Sequence, residues 1–303
     1  MRVTLTGATG LIGTRLVAAL ARRGDEVTVL SRDPARARER LGSGIQAERW
    51  DALHEPAPAA ALAGRDGVIH LAGEPVAQRW TAGAKERVHA SRESGTANLV
   101  AGLRSAEPRP RVLVSASAVG YYGARGDDDV TEAEPPGEDF LAQVCVAWER
   151  AAQAAAEFGV RVAIVRTGIV LDPHGGALAK MLPPFRAGVG GPVAGGEQWM
   201  PWIHVDDLVG LYLAALDGDA WSGPLNASAP HPVTNRDFSK ALGCALHRPA
   251  LTPVPRFALR ALYGEMELIV TTGQRAVPQR PLALGYAFAH PELDEALRSA
   301  LAG

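Results

Sequence analysis

Lysine is almost absent from this sequence. It occurs only at Lys85, Lys180 and Lys240, so nearly all of the 31 basic residues are arginine. Cysteine is scarce as well. Cys145 and Cys244 lie far apart and in no CxxC pattern, which argues against a disulfide framework or a cysteine zinc site and for a reducing compartment. No apolar run is long enough to span a bilayer, so no membrane partner is expected. The strand Arg2-Val3-Thr4-Leu5 follows Met1 directly, without a charged leader, an apolar core or a cleavage site, and the reading is cytoplasmic. The formal charge of −2 leaves no basic footprint for nucleic acid.

What is present reads as an ordinary folded chain. Its 303 residues suit one large α/β unit with a small appended lobe. Short β-branched runs alternate with alanine-rich amphipathic runs over the first two thirds. Strands are predicted at 3–6, 26–30, 46–50, 67–72, 111–115 and 161–166, and helices at 11–23, 57–63, 84–105 and 140–158. The strands are continuous apolar runs, as in strands buried on both faces. Such alternation predicts an α/β fold with a Rossmann-type doubly wound parallel sheet.

After residue 170 the texture changes. The stretch 183–202, PPFRAGVGGPVAGGEQWMPW, reads as a long loop. Helices return at 204–216, 235–246 and 291–301. Residues 1–170 and 203–227 are expected to form the nucleotide-binding domain. Residues 171–202 and 228–303 are expected to form a smaller interleaved C-terminal lobe for substrate.

The strongest local signal is TGATGLIG, with Gly7, Gly10 and Gly13 spaced GxxGxxG between a strand and a helix. Gly7 permits a tight turn, Gly10 lets backbone approach a pyrophosphate, and Gly13 lets the helix pack on the sheet. Thr9, Leu11 and Ile12 flank the glycines and join the expected cofactor contacts. The next strand ends in Ser31-Arg32, where NAD binders carry an acidic residue for the ribose 2′-hydroxyl. An arginine at that edge can pair with a 2′-phosphate, so NADP(H) is the expected cofactor. A solvated surface arginine is the alternative. Asp51, Leu71, Ala72 and Gly73 would frame the adenosine.

TGATGLIG, HLAG at 70–73, SASAVGYYG at 115–123 and WIHVDDL at 202–208 resemble, in that order, the extended short-chain dehydrogenases/reductases. Over the whole chain the sequence is more similar to one atypical branch, the NADP-binding epimerase-family proteins. The stretches that carry this are SRD at 31–33, HLAGEP at 70–75, SRESGT at 91–96, DFLAQVCVAWE at 139–149, GGPVAGGEQWMPWIHVDDLV at 190–209 and VPQRPLALGYAF at 277–288. The resemblance places Arg92 near the cofactor, and positions at the ends of the fifth and sixth strands place Ser115, Arg166 and Gly168 there too, while Gln198, Trp202 and His204 are expected to face the substrate.

Typical extended members use a tyrosine and, four residues on, a lysine. None of the five tyrosines, 121, 122, 212, 263 and 286, has lysine four residues later. Aligning on Glu149 puts Leu141 and Cys145 in those places, on one apolar helix face. Ser117, Tyr121 and Tyr122 remain as catalytic candidates, each with a structural role as the alternative. His204 beside Asp206 and Asp207 superficially resembles a metal set, but a helix start explains the aspartates, and no metal is expected. The sequence therefore reads as an NADP(H)-dependent oxidoreductase or epimerase-like enzyme acting on a small polar or nucleotide-linked substrate, as a possible homodimer. A non-catalytic NADPH sensor is the second reading.

Overall fold

In the computed structural model, which describes residues 1–302, seven parallel strands form one sheet. They are β1 (Arg2–Thr6), β2 (Glu26–Ser31), β3 (Gln46–Arg49), β4 (Gly67–His70), β5 (Val112–Ala118), β6 (Arg161–Thr167) and β7 (Gly223–Ala227). Their spatial order is 3-2-1-4-5-6-7. The order reverses between β1 and β4, and ligands bind at such a switch point, beyond the carboxyl ends of the strands. The expected doubly wound sheet is thus present.

Side chains alternate between the faces, and both faces are dry. Val3 and Leu5 of β1, Val112 and Val114 of β5, and Ala163 and Val165 of β6 enter one core. That core is closed by α1 (Leu11–Arg22) and the helix Val205–Asp217. Leu113, Val162 and Ile164 enter the opposite core with Leu99 and Leu103 of the long helix Ala82–Ser105. Burial on both sides is why these strands lack a polar phase in the sequence.

A third core lies in the remainder of the chain, around Leu178, Leu182, Phe185, Trp202, Phe238 and Leu297. Here the sequence misleads. The predicted loop from residue 183 begins inside a helix, Gly176–Arg186, which contains Pro183 and Pro184. Leu178, Leu182 and Phe185 share one face of it and are all buried, and that packing outweighs the proline penalty. β7 and the helices Pro34–Leu41 and Arg256–Tyr263 were not foreseen either. Two short parallel pairs, Ile169–Leu171 with Trp202–His204 and Asp129–Val130 with Arg275–Ala276, tie the later segments to the sheet's carboxyl edge.

Candidate cofactor groove and catalytic centre

The loop after β1 is shaped by steric limits. Gly7 has φ +68°, and a Cβ there would lie 2.7 Å from the Ala72 nitrogen. A Cβ on Gly13 would lie 2.5 Å from the Gly7 carbonyl. Below the loop, His70 is fully buried and bridges Thr6 Oγ1 at 2.7 Å and Thr96 Oγ1 at 3.0 Å. Thr6 Oγ1 also accepts from the backbone of Leu71 and Ala72, which joins the ends of β1 and β4. Burial pulls the His70 pKa down to about 4, so the ring is neutral at pH 7.

A groove of about 410 Å³ opens over this junction. Gly7, Thr9, Gly10, Ser31, Arg32, Asp51, Leu71, Ala72 and Gly73 are among its lining residues. A second space of about 420 Å³ continues past Leu11, Ile12 and Gly13 to Gly168, Ile169 and Val170. Helix α1 starts between them. Gly10 caps it without a side chain, and no acidic residue lies in its first turn. Its first N–H groups and the positive end of its dipole thus face the groove, which suits a pyrophosphate.

At the far rim the acidic residues are already engaged. Asp33 caps the next helix by accepting from Arg36 N. Asp51 is held below the usual carboxylate range by its hydrogen bond to His54, by the Leu53 N–H and by the charge of Arg32. Among the described residues Arg32 makes no ion pair and no side-chain hydrogen bond, and its side chain is exposed at the rim. The far rim of the groove therefore carries a cation that has no side-chain partner among the described residues.

Beyond the end of β5 the expected acid–base helix, Phe140–Gln153, presents Leu141, Cys145 and Glu149 at successive turns. Leu141 packs against the turn at Gly120. Cys145 is buried beside Ser117 and Ala118, and burial pushes its thiol up to about 12, so it is an inert apolar group. Glu149, in contrast, organises the centre. It accepts from Ser117 Oγ at 2.6 Å and from Arg166 Nε and Nη2 at 2.9 and 2.8 Å. This fork-on-carboxylate pair is buried, with side-chain exposures of 4% and 11%. Burial alone would lower the Arg166 pKa, but the bonds to Glu149 and its charge raise it.

Arg166 also donates to the Tyr122 hydroxyl at 2.9 Å, and that hydroxyl donates to Asn226 Oδ1 at 2.6 Å. Tyr122 is 1% exposed, and burial raises its pKa to about 12. Its hydroxyl is thus committed within the protein, in keeping with the structural alternative that the sequence left open. Tyr121 differs. Its ring lies on the Arg166 guanidinium, 3.5 Å from centroid to carbon, it is half-buried, and its hydroxyl has no partner among the described residues.

Other expected site residues are also reassigned. Arg92 stands behind Gly73, donates to the Glu74 carbonyl and lies over Trp148, so it braces the groove wall. Ser115 is buried within β5. Arg166 is occupied by Glu149. Trp202, expected toward substrate, is fully buried in the third core with its indole N–H on the His231 carbonyl. His204, also expected toward substrate, is 3% exposed, caps its helix through Nδ1 and stacks on His290. Gln198 donates to the Val193 and Val270 carbonyls and joins two loops. The sequence reading did not single out Glu149 and Asn226, which join this hydrogen-bonded cluster. The i, i+4, i+8 spacing of Leu141, Cys145 and Glu149 was the available signal for the first, while Asn226 lies on the unforeseen β7.

A glycine-lined groove at the switch point, with Ser117, Tyr121 and Tyr122 gathered at the next strand end, is consistent with an atypical extended short-chain dehydrogenase/reductase. The chain belongs to the NAD dependent epimerase/dehydratase family, which it matches over residues 3–224. Residues 254–300 match a domain of unknown function. The chain is 41% identical to the chloroplastic homolog of epimerase family protein SDR39U1 from Arabidopsis thaliana, over 99% of this chain and 86% of that one. It is 38% identical to the human epimerase family protein SDR39U1 over the full length of both. A crystal structure of the human protein (isoform 2) with NADPH superposes with a TM-score of 0.89 at 35% identity and complete coverage of both chains. A nucleoside-diphosphate sugar epimerase from Corynebacterium glutamicum gives 0.79 at 34% identity, over 99% of this chain and 58% of that one.

Proposed function

We propose that this protein binds NADP(H) in the groove and uses it to reduce or oxidise a small polar substrate. One observation carries the reading: an uncapped helix start faces the glycine groove, with the exposed, unpaired Arg32 at its far rim. The NADPH in the human relative's structure supports it. In this reading the α1 N–H groups hold the pyrophosphate, and Arg32 holds the 2′-phosphate by charge-assisted bonds. Gly168, Ile169 and Val170 wall the far end of the groove. Asp51 faces the adenine ribose.

The bound cofactor would supply or accept hydride. The proton would pass through Tyr121, whose hydroxyl is the uncommitted one in the centre. Arg166 lies against its ring and would stabilise negative charge on the oxygen, while Glu149 and Ser117 keep the guanidinium in place. One donor suffices for a reductase. Epimerisation through a keto intermediate needs a base and then an acid, so reduction fits Leu141 and Cys145 better. A nucleotide-linked substrate is supported by the name of the Corynebacterium relative.

The test is a titration with NADPH and NADH, wild type against Arg32→Ala, followed by substrate screening of the loaded protein. Preference for NADPH that disappears in the variant supports the reading. Equal affinities in the wild type overturn the Arg32 assignment. Reversible inversion of a stereocentre without net NADPH consumption overturns the choice of reduction. Tight binding with no turnover across the screen would turn the reading toward an NADPH sensor.

A further inference from the structure

Away from the groove, the buried imidazole of His204 meets the half-buried imidazole of His290, and one nitrogen of each ring is buried without a partner. His204 precedes the helix Val205–Asp217, and His290 stands in the C-terminal tail. Their ring centroids are 3.9 Å apart at 40°. His204 Nε2 and His290 Nδ1 are both buried and neither has a partner. His204 itself is 3% exposed. Leaving such atoms unsatisfied is costly, and they point to a group that would complete them.

Asp206 adds a carboxylate. Its Oδ2 lies 3.7 Å from His204 Nδ1, and ligand atoms of His204, Asp206 and His290 all lie within 4.8 Å of one another. Ligand atoms about 2.1 Å from a tetrahedral ion are about 3.4 Å apart, so small side-chain rotations close the set. Asp206 is two-thirds exposed and free to make that movement. The backbone is already fixed. Asp207 accepts from Ala289 N at 2.7 Å and His290 N at 2.9 Å, which holds the tail against the helix start.

We infer that His204, His290 and Asp206 form a site for one divalent transition-metal ion, bound through one nitrogen of each ring and a carboxylate oxygen. The N₂O donor set suits zinc, with water completing the coordination. The ion would cross-link the tail to the helix at residue 205. It would be structural and independent of the cofactor groove. The sequence showed only His204 beside its aspartates, because His290 lies 86 positions later.

The experiment uses untagged full-length protein stripped with a chelator and titrated calorimetrically with zinc chloride. Exposed His54, His89 and His231 sit singly beside carboxylates, so the variants carry the distinction. The expected result is one zinc per chain in the wild type, at least tenfold weaker in His290→Ala and in Asp206→Asn. Zinc should also raise the melting temperature of the wild type and not of either variant. Circular dichroism and NADPH titration check that the variants are folded. Zinc affinity equal in wild type and folded His290→Ala overturns the inference, as does the absence of stoichiometric binding.

Discussion

Arg166 lies flat against Tyr121, its guanidinium carbon 3.5 Å from the ring centroid, while two of its nitrogens grip Glu149. A fixed cation thus faces the tyrosine that remains open, in a helix–strand interface where the family usually places a lysine. Leu141 and Cys145 fill the vacated positions with packing, and the charge comes from β6. Tyr121→Phe is expected to leave the fold and NADPH affinity intact. It should reduce turnover by about 10²-fold or more, the scale of a lost general acid. Single-turnover rates on the identified substrate check this.

Tyr122→Phe should behave in the opposite way. It removes the hydroxyl between Arg166 and Asn226 and leaves two buried groups without their partner. A loss of about 1–3 kcal/mol is expected from urea unfolding. The two neighbouring tyrosines would then separate into one functional and one structural residue.

The Glu149–Arg166 pair should be costly to break on one side. Glu149→Gln leaves the buried guanidinium without its counter-charge, and about 3–5 kcal/mol is expected to be lost. Arg166→Met with Glu149→Leu should lose less than either single change. A double-mutant cycle in chemical denaturation measures the coupling.

At the glycine loop the constraint is steric. Gly13→Ala places a Cβ 2.5 Å from the Gly7 carbonyl, so the helix must move off the loop. NADPH affinity should fall at least tenfold, with roughly 1–3 kcal/mol of stability. Gly44→Ala, where a Cβ meets nothing within 4 Å, is the control and should leave NADPH affinity unchanged.

Acid should act through His70. Its folded pKa is about 4 against an ordinary 6.5, so below 6.5 the unfolded chain takes up a proton that the folded chain refuses. The stability gained from a neutral His70 is therefore complete above pH 6.5 and is lost as pH falls toward 4. The total is about 3 kcal/mol at 1.36 kcal/mol per pH unit. Urea unfolding between pH 7 and pH 4.5 should show a smaller pH slope in His70→Gln than in the wild type.

The parallel sheet and the glycine groove were legible because they rest on local rules. β-branched runs, a GxxGxxG turn and the Arg32 edge each lie within a few residues of what they specify. The candidate catalytic centre was less legible. Ser117, Glu149, Arg166 and Asn226 come from four elements and meet only once β5, β6 and β7 pair. The sequence also suggested that Trp202 and His204 faced the substrate, whereas Trp202 lies in the third core and His204 is buried against His290. Pro183 and Pro184 looked like a loop because proline breaks helices, but packing of Leu182 and Phe185 prevailed.

The most direct test of the account is a titration of the purified protein with NADPH and NADH, read by energy transfer from its six tryptophans to the reduced nicotinamide. The account expects tight NADPH binding and NADH at least tenfold weaker. In Arg32→Ala that difference should largely vanish through loss of NADPH affinity. Equal binding of the two cofactors would contradict the role given to Arg32, and binding of neither would contradict the groove itself.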